Sequence, residues 1–361
     1  MPRFRVLIRY MKILSLAFFL TSGLVYAAPD MVRIPAAPQF AFAEDGDPSP
    51  IEQDYFIGKY PVTNEEYAQF CSDTGHRVPR YWKNGKYPTG KGKHPVLWVS
   101  YDDAVAYCEW LTENNPGKNY RLPTEAEWEH AASGPQQTRY PWGDDAGISF
   151  KNGLIVSNFN FNGVIASILL KKNPTQKVTF VSPRSERKGE SVALNSLLIL
   201  NGRGGVQGWQ DHQSGGGFVQ TDVFQQLNEE GGYTTAVNAY PDGASAYGCF
   251  DMSGNAWEWT SSDIIATNGA ERGQTVKAIR GGSWYATSRS CAVTFRGEGR
   301  RAEGVFNTVG FRVAADGDKQ TKPTAKRTKT QKKNDSKASK NQTRTRKGGR
   351  VNNKPAPPPN Y

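Results

Sequence analysis

Two short stretches carry side chains whose types and spacing could do chemistry. The first is Asp251-Met252-Ser253-Gly254-Asn255-Ala256-Trp257-Glu258. Two carboxylates, Asp251 and Glu258, and the backbone carbonyls of Gly254 and Ala256 surround one tight loop. Hard oxygen donors of this kind suit calcium. The same residues also fit a plain loop in which Glu258 accepts backbone hydrogen bonds. The second stretch is Arg280-Gly281-Gly282-Ser283-Trp284, followed by a single thiol at Cys291. Adjacent glycines mark a close backbone approach or a turn with φ > 0, so this stretch reads as a buried strand entering a tight turn. A thiol becomes a nucleophile when a base or positive charge activates it, and no histidine lies near Cys291 in sequence. His76, His94, His130 and His212 are scattered, without metal-ligand spacing. The glycine clusters at 202–205 and 215–217 lack the strand, helix and Lys-Ser/Thr of a phosphate loop and read as connections.

The elements that must position these residues are legible in caps and apolar spacing. Residues 31–35 alternate as a strand, and 55–63 form a second. Thr63 with Glu66 makes a capping box. Ser100 caps a second helix, with Asp102 and Asp103 in its first turn, where carboxylates suit the helix dipole. Ala104, Tyr107, Cys108 and Leu111 then fall at i, i+3, i+4, i+7, the stripe of a helix lying on a core. Thr124 and Glu127 repeat the capping box, and Arg121 is placed to pair with Glu125 or Glu129. Residues 140–144 end this part in a turn, and 194–200 have the character of a strand. The whole predicts an α+β chain.

Composition separates the ends from the middle. The 361 residues carry a net charge of +11. The segment 317–361 holds 14 Lys and Arg against two Asp, and residues 1–28 add four more cations, so 29–316 is mildly acidic. This argues against nucleic acid as a partner of the middle part. Residues 1–28 resemble a signal peptide: a basic start, an apolar run at 13–20 and small residues near Ala27-Ala28. No transmembrane anchor is expected after its cleavage, and the location is periplasmic or extracellular. Residues 317–361 have almost no apolar side chains and are expected to be a disordered basic tail that could contact an anionic polymer or surface. Export permits disulfides among Cys71, Cys108, Cys249 and Cys291. Three full pairings are possible, and buried free thiols are the alternative.

Several blocks occur in a distinctive order: Pro61-Val62-Thr63-Asn64-Glu65-Glu66-Tyr67, Val99-Ser100-Tyr101-Asp102-Asp103-Ala104, Arg121-Leu122-Pro123-Thr124-Glu125-Ala126-Glu127-Trp128-Glu129, Pro141-Trp142-Gly143, then the two stretches above and Gly310-Phe311-Arg312. In this the chain resembles the formylglycine-generating enzyme, or sulfatase-modifying factor, family over about 31–315. The resemblance implies one loop-rich α+β domain at 29–316, related to C-type lectins and low in regular secondary structure. Residues 163–232 fall outside the pattern and read as an insertion. It also implies structural calcium at Asp251, Gly254, Ala256 and Glu258, and a second calcium site to which Asn158 and Phe159 correspond in part. In catalytic members two cysteines bind Cu(I) and oxidise a substrate cysteine to formylglycine. Mapped onto this chain, the second is Cys291 and the first is Ala286, which has no ligand atom. Ser283 matches the family's active-site serine, and Trp257 a wall of its substrate groove.

One expectation is an exported scaffold or binding protein, with a protein or peptide partner, that lacks the copper-dependent oxidation. The alternative is an active O2-dependent oxidoreductase of the same family using a non-standard site around Cys291. Members with a three-histidine iron site find no counterpart here. A third possibility is a ligand-binding member like the proteins diversified by retroelements, whose variable segment would correspond to 285–308.

Overall fold

Three hydroxyl side chains decide where the helices begin. The computed structural model describes residues 28–317 outside 152–153, 162, 166–167, 169–176, 182–190, 194–217, 221–231 and 270. Helix α1 (Asn64–Thr74) starts at Thr63, whose hydroxyl accepts the Glu66 N–H while the Glu66 carboxylate accepts the Thr63 N–H. Helix α2 (Tyr101–Asn114) starts at Ser100 with Asp103 in the reciprocal role, and α3 (Glu125–Ser133) at Thr124 with Glu127. Each box satisfies two N–H groups that the helix itself cannot. Gly75, at φ 71, ends α1 with a backbone bond to Cys71, a conformation that favours glycine.

Helices α1 and α2 bury Tyr67, Phe70, Tyr107, Cys108 and Leu111 in one aromatic core with Phe311. Tyr67 and Tyr107 stack at 6.0 Å, and both meet Phe311 edge-on. The predicted stripe on α2 is therefore the buried face. Phe311 belongs to the Gly-Phe-Arg block near the other end of the body, so local helix formation and chain closure are stabilised by the same contacts.

Two four-stranded sheets frame the remainder. In the first, β1 (Met31–Ile34) pairs with β2 (Tyr55–Gly58), and β13 (Ala314–Asp316) lies between β2 and β3 (Tyr120–Arg121), all antiparallel. In the second, the order is β11 (Gly299–Arg300), β10 (Thr275–Arg280), β9 (Trp257–Ile265) and β12 (Val309–Gly310), with β12 parallel to β9. A hairpin, β4 (Ser149–Lys151) and β5 (Leu154–Val156), follows the 140–143 turn, in which Tyr140 and Gly143 exchange backbone bonds. The segment read as an insertion contains β6 (Lys177–Val181), flanked by β7 (Ser191–Ala193) and β8 (Phe218–Gln220). A second apolar cluster joins Phe40, Phe42 and Ile51 to Trp128, Cys249, Met252 and Val293. The architecture is mixed, with few regular elements, as the α+β expectation had it.

Two expectations change, the end of the second strand and the partners of Arg121, and the open choice for the cysteines is decided. The second strand ends at Gly58 rather than Thr63. Pro61 has no N–H to give a ladder, and the chain turns so that Val62 N bonds Phe311 O. No disulfide forms: all four cysteines are free and buried. Arg121 pairs with Glu127 at 2.7 Å and with Asp316 at 2.8 Å, not with Glu125 or Glu129. The strand expected at 194–200, both glycine clusters, the signal segment up to residue 27 and the tail from 318 lie outside the described residues. Among the described residues no helix is long and apolar enough to cross a membrane.

Candidate functional site

The two chemically suggestive stretches meet through their backbones. Gly254 N bonds Gly281 O at 2.7 Å, and Trp284 N bonds Asn255 O at 3.0 Å. The loop before β9 is a run of left-handed residues: Asp251 at φ 55, Gly254 at 75 and Asn255 at 63. At Gly254 a Cβ would lie 2.2 Å from Asn160 O, so only glycine fits. Asn255 N completes that contact by bonding Asn160 O at 2.9 Å.

Asp251 accepts from Asn238 N at 3.0 Å through one oxygen and from Asn255 Nδ2 at 3.2 Å through the other. Loss of water around its carboxyl raises its pKa to about 6, against the opposing pull of Asn238 N–H, Arg312 and Asn255. Glu258 is completely buried. Arg312 grips it with a fork, Nε to Oε2 at 2.5 Å and Nη2 to Oε1 at 2.7 Å, and Trp128 Nε1 donates to Oε2 at 2.7 Å. The donors on Glu258 are thus side chains, not the backbone groups that the plain-loop reading called for. Arg312 spends its remaining N–H groups on the carbonyls of Gly58 and Phe250.

Calcium fits what is left. Each Asp251 oxygen has one hydrogen bond, and Glu258 Oε1 accepts a single one. Beside the loop, Asn160 Oδ1 and Ser253 Oγ are buried without a partner, a state that costs free energy unless a cation or water relieves it. Among the described residues no cluster of three or more His, Cys, Asp or Glu could hold a metal ion by side chains alone, so backbone carbonyls such as those of Gly254 and Ala256 would have to contribute.

The turn after β10 is organised around Cys291. Gly281 and Gly282 have φ 93 and 76. A Cβ on Gly282 would sit 2.4 Å from Cys291 Sγ, so the second glycine is what lets the thiol pack beneath the turn. The thiol is completely buried, 3.9 Å from Ser283 O, and burial pushes its pKa far up. Ala286 N bonds Ser283 O at 3.0 Å, closing the turn, and its methyl group is buried. Ser283 is buried too, its hydroxyl accepting from Tyr285 N at 3.3 Å. Trp257 packs against Phe295, four residues beyond Cys291, at 6.2 Å. Ser283, Ala286 and Cys291 are thus brought together, with Trp257 joined through Phe295. Among the described residues no histidine reaches them: His76 binds Asp103, His94 binds Thr234 and His130 binds Tyr247; His212 lies outside the described residues. This donor set does not fit copper. Cu(I) requires soft ligands, and the one thiol present is enclosed, its pKa pushed up by burial.

Sequence reasoning missed the charges that hold the site. Arg280 is completely buried, donating to Glu125 at 3.0 Å, to Glu129 and to Val293 O at 2.6 Å. A signal for it existed: Glu125 and Glu129 are four apart on one face of α3, and Arg280 and Arg312 both sit inside otherwise apolar runs.

The family described as the sulfatase-modifying factor enzyme 1-like domain matches residues 23–176 and 202–317. The chain belongs to this family. Sulfatase-modifying factor relatives include the formylglycine-generating enzyme of Thermomonospora curvata, 28% identical over 365 residues, covering 82% of this chain and 94% of that protein. The inactive C-alpha-formylglycine-generating enzyme 2 of Mus musculus is 27% identical over 252 residues, covering 66% and 56%. The hercynine oxygenase of Mycolicibacterium thermoresistibile is 26% identical over 312 residues, covering 73% of this chain and 51% of that protein. These relatives thus include one named as a formylglycine-generating enzyme, one named as an oxygenase and one named as inactive. Residues 177–201, with β6 and β7, are outside the family match.

Proposed function

We propose that this sulfatase-modifying-factor protein is an exported binding or scaffold protein that does not oxidise cysteine through copper. One observation carries the reading: Ala286 stands where the resemblance implies a ligand thiol, and the remaining thiol, Cys291, is enclosed against Gly282 with no soft donor beside it. A buried protonated thiol is neither a good ligand nor a nucleophile. Likeness to a relative named inactive supports the same direction. The partner would be a protein or peptide, and the basic segment beyond 317 would meet an anionic polymer or surface. Export rests on the signal-like start.

Calcium is part of the proposal as a structural ion. Asp251 and Glu258 would hold it with the carbonyls of Gly254 and Ala256. It would neutralise a desolvated carboxylate and fix the left-handed loop. Arg312 and Trp128 keep the Glu258 carboxylate in place for it, and Asn255 orients Asp251.

The test is a copper and peptide assay on the purified protein. Cu(I) binding is measured with and without a cysteine-containing peptide of a sulfatase, and the peptide is then weighed by mass spectrometry. The expected result is no tight copper binding and no loss of the peptide thiol. Conversion of the cysteine to an aldehyde would overturn the proposal and favour the oxidoreductase alternative.

A further inference from the structure

Residues 37–51 form a loop pinched at its base and held at its tip. Ala37 and Ile51 exchange backbone bonds at 2.8 and 3.0 Å, and Ser49 N bonds Phe40 O at 2.9 Å. Its underside, Phe40, Phe42 and Ile51, forms part of the second apolar cluster, which also holds Trp128 and Cys249. Its tip carries three carboxylates, Glu44, Asp45 and Asp47, and one residue of the body, Arg296, meets them through its backbone and its side chain. Arg296 gives its backbone N–H to Glu44 at 2.6 Å and Nη1 to Asp45 at 2.5 Å, with Asp47 at 3.5 Å. Its guanidinium lies on the Phe42 ring, 3.5 Å from the centroid. Its other edge faces Glu125 at 3.4 to 3.5 Å.

The connection continues inward. Glu125 is shared with the buried Arg280, Arg280 also binds Glu129, and Glu129 accepts Ala43 N from the loop itself at 2.9 Å. Charges of alternating sign thus run from the loop tip through the body and back to the loop. Beside the tip lies a cavity of about 440 Å3, walled by Glu44, Asp45 and Asp47 on one side and by Ile264, Ile265 and Thr267 at the end of β9 on the other. Ile265 is 58% exposed.

We propose that loop 37–51 is an electrostatically latched strap with Arg296 as its catch, and that releasing the catch lifts the tip off the second apolar cluster while the first core stays closed. Two features make the strap separable. Its base is fixed by its own backbone bonds, so the tip can move without unzipping β1 and β2. Its outer ion pairs are weak one by one, because Asp45 and Asp47 are 45% and 69% exposed, and Arg296 is the side chain that joins them to Glu125 and Phe42, while Gln137 and Glu129 hold the loop backbone short of the tip at Ala41 and Ala43. Arg296 lies in the segment that carries Cys291 and Val293, so movement of the strap is felt at the candidate site. This inference does not rest on the functional proposal.

Two buried thiols report on it. Cys249 belongs to the same apolar cluster as Phe40 and Phe42; Cys108 lies in the first core. Their alkylation rates are compared by mass spectrometry in the full-length protein. Arg296→Met keeps the length over Phe42 and removes the charge. It is expected to speed labelling of Cys249 about tenfold, as a loss of about 1.4 kcal/mol in strap closure would, and to leave Cys108 unchanged. Asp45→Asn with Asp47→Asn removes only exposed tip charges, and about a threefold rise is expected at Cys249 alone, with 1 M salt acting in the same direction. An unchanged Cys249 rate in both variants, or Cys108 rising in step with it, overturns the strap. Should Arg296→Met fail to fold, the tip variant decides alone, since those carboxylates lie outside the core.

Discussion

The loop before β9 and the turn after β10 touch each other, yet they have been furnished differently. Around the loop, both carboxylates keep hydrogen-bond partners: Glu258 has Arg312 and Trp128, and Asp251 has the neutral N–H groups of Asn238 and Asn255. Around the turn, the chemistry implied by the family has been reduced to a methyl group at Ala286 and one enclosed thiol at Cys291. Two glycines with left-handed φ still shape that turn, so the geometry that would present a reactive pair is present without the pair. This contrast is the ground on which the proposal of a binding scaffold stands. It can be broken or sharpened at either region.

The largest effect belongs to the framework. Glu258→Ala leaves Arg312 buried and charged with no carboxylate, and removing one partner of such a pair costs about 3–5 kcal/mol. Thermal melts are expected to show a fall of many degrees in chelator as well as in calcium. Calcium is expected to raise the melting temperature of the parent protein and to give the variant a smaller rise. A parent protein that melts identically in both buffers would leave Arg312 as the sole cation of this loop and remove calcium from the account.

Next comes the turn itself. Gly282→Ala introduces a Cβ 2.4 Å from Cys291 Sγ at a φ of 76. Left-handed strain and the clash together predict a loss of roughly 2–3 kcal/mol. Pairing it with Cys291→Ala should recover part of that loss, because the sulfur is the nearest atom met. Denaturant unfolding of the four proteins gives the coupling, and a value below about 0.5 kcal/mol would mean the glycine serves something other than the thiol.

How much of this was readable in advance follows from the range of the interactions. The capping boxes at Thr63 and Thr124, the cap at Ser100 and the α2 stripe were legible, because a cap spans three residues and a stripe spans seven; that Asp103 closes a box on Ser100 came from the fold. The pairing of Arg280 with Glu125 and Glu129 was not, because it spans about 150 positions and only the fold brings the partners together. Arg121 was assigned the wrong glutamates for a related reason. Glu127, already turned back to cap α3, is the one facing β3, while Glu125 and Glu129 share the face turned to β10. Of the candidate site, Cys291 was legible as a lone thiol after a glycine pair, while Ser283 and Ala286 were marked only by the family resemblance. Enclosure of the thiol was not, since it depends on the packing of Gly282.

A smaller effect tests the caps by pH. Burial alone would raise the Asp103 carboxyl, but the Arg77 fork, the Ser100 N–H and His76 hold it below its ordinary 3.8. A carboxyl depressed in the folded state adds stability above its unfolded value and loses it as pH falls through the folded one. Acid unfolding below pH 3.8 should therefore be shallower in Asp103→Asn, which at neutral pH is less stable by about 1–2 kcal/mol from the lost cap and ion pair. Equal acid limbs in the two proteins would put the acid sensitivity elsewhere.

The smallest effect is the most discriminating for function. Cys291→Ala removes one buried sulfur from a closed turn, a change of about 1 kcal/mol by analogy with deleting a single core methylene. If the turn is only structure, the variant melts slightly lower and captures partner peptides as the parent does. If Cys291 reacts, the same substitution abolishes every oxidised product while leaving the fold nearly as stable. Ala286→Cys approaches the question from the other side. It restores a second thiol to a turn already shaped by Gly281 and Gly282, and Cu(I) titration of that variant shows whether the enclosed Cys291 can come forward to share a metal. Binding gained there would mean that Ala286 alone separates this protein from the copper chemistry. No gain would mean that the packing of Cys291 beneath Gly282 separates it as well.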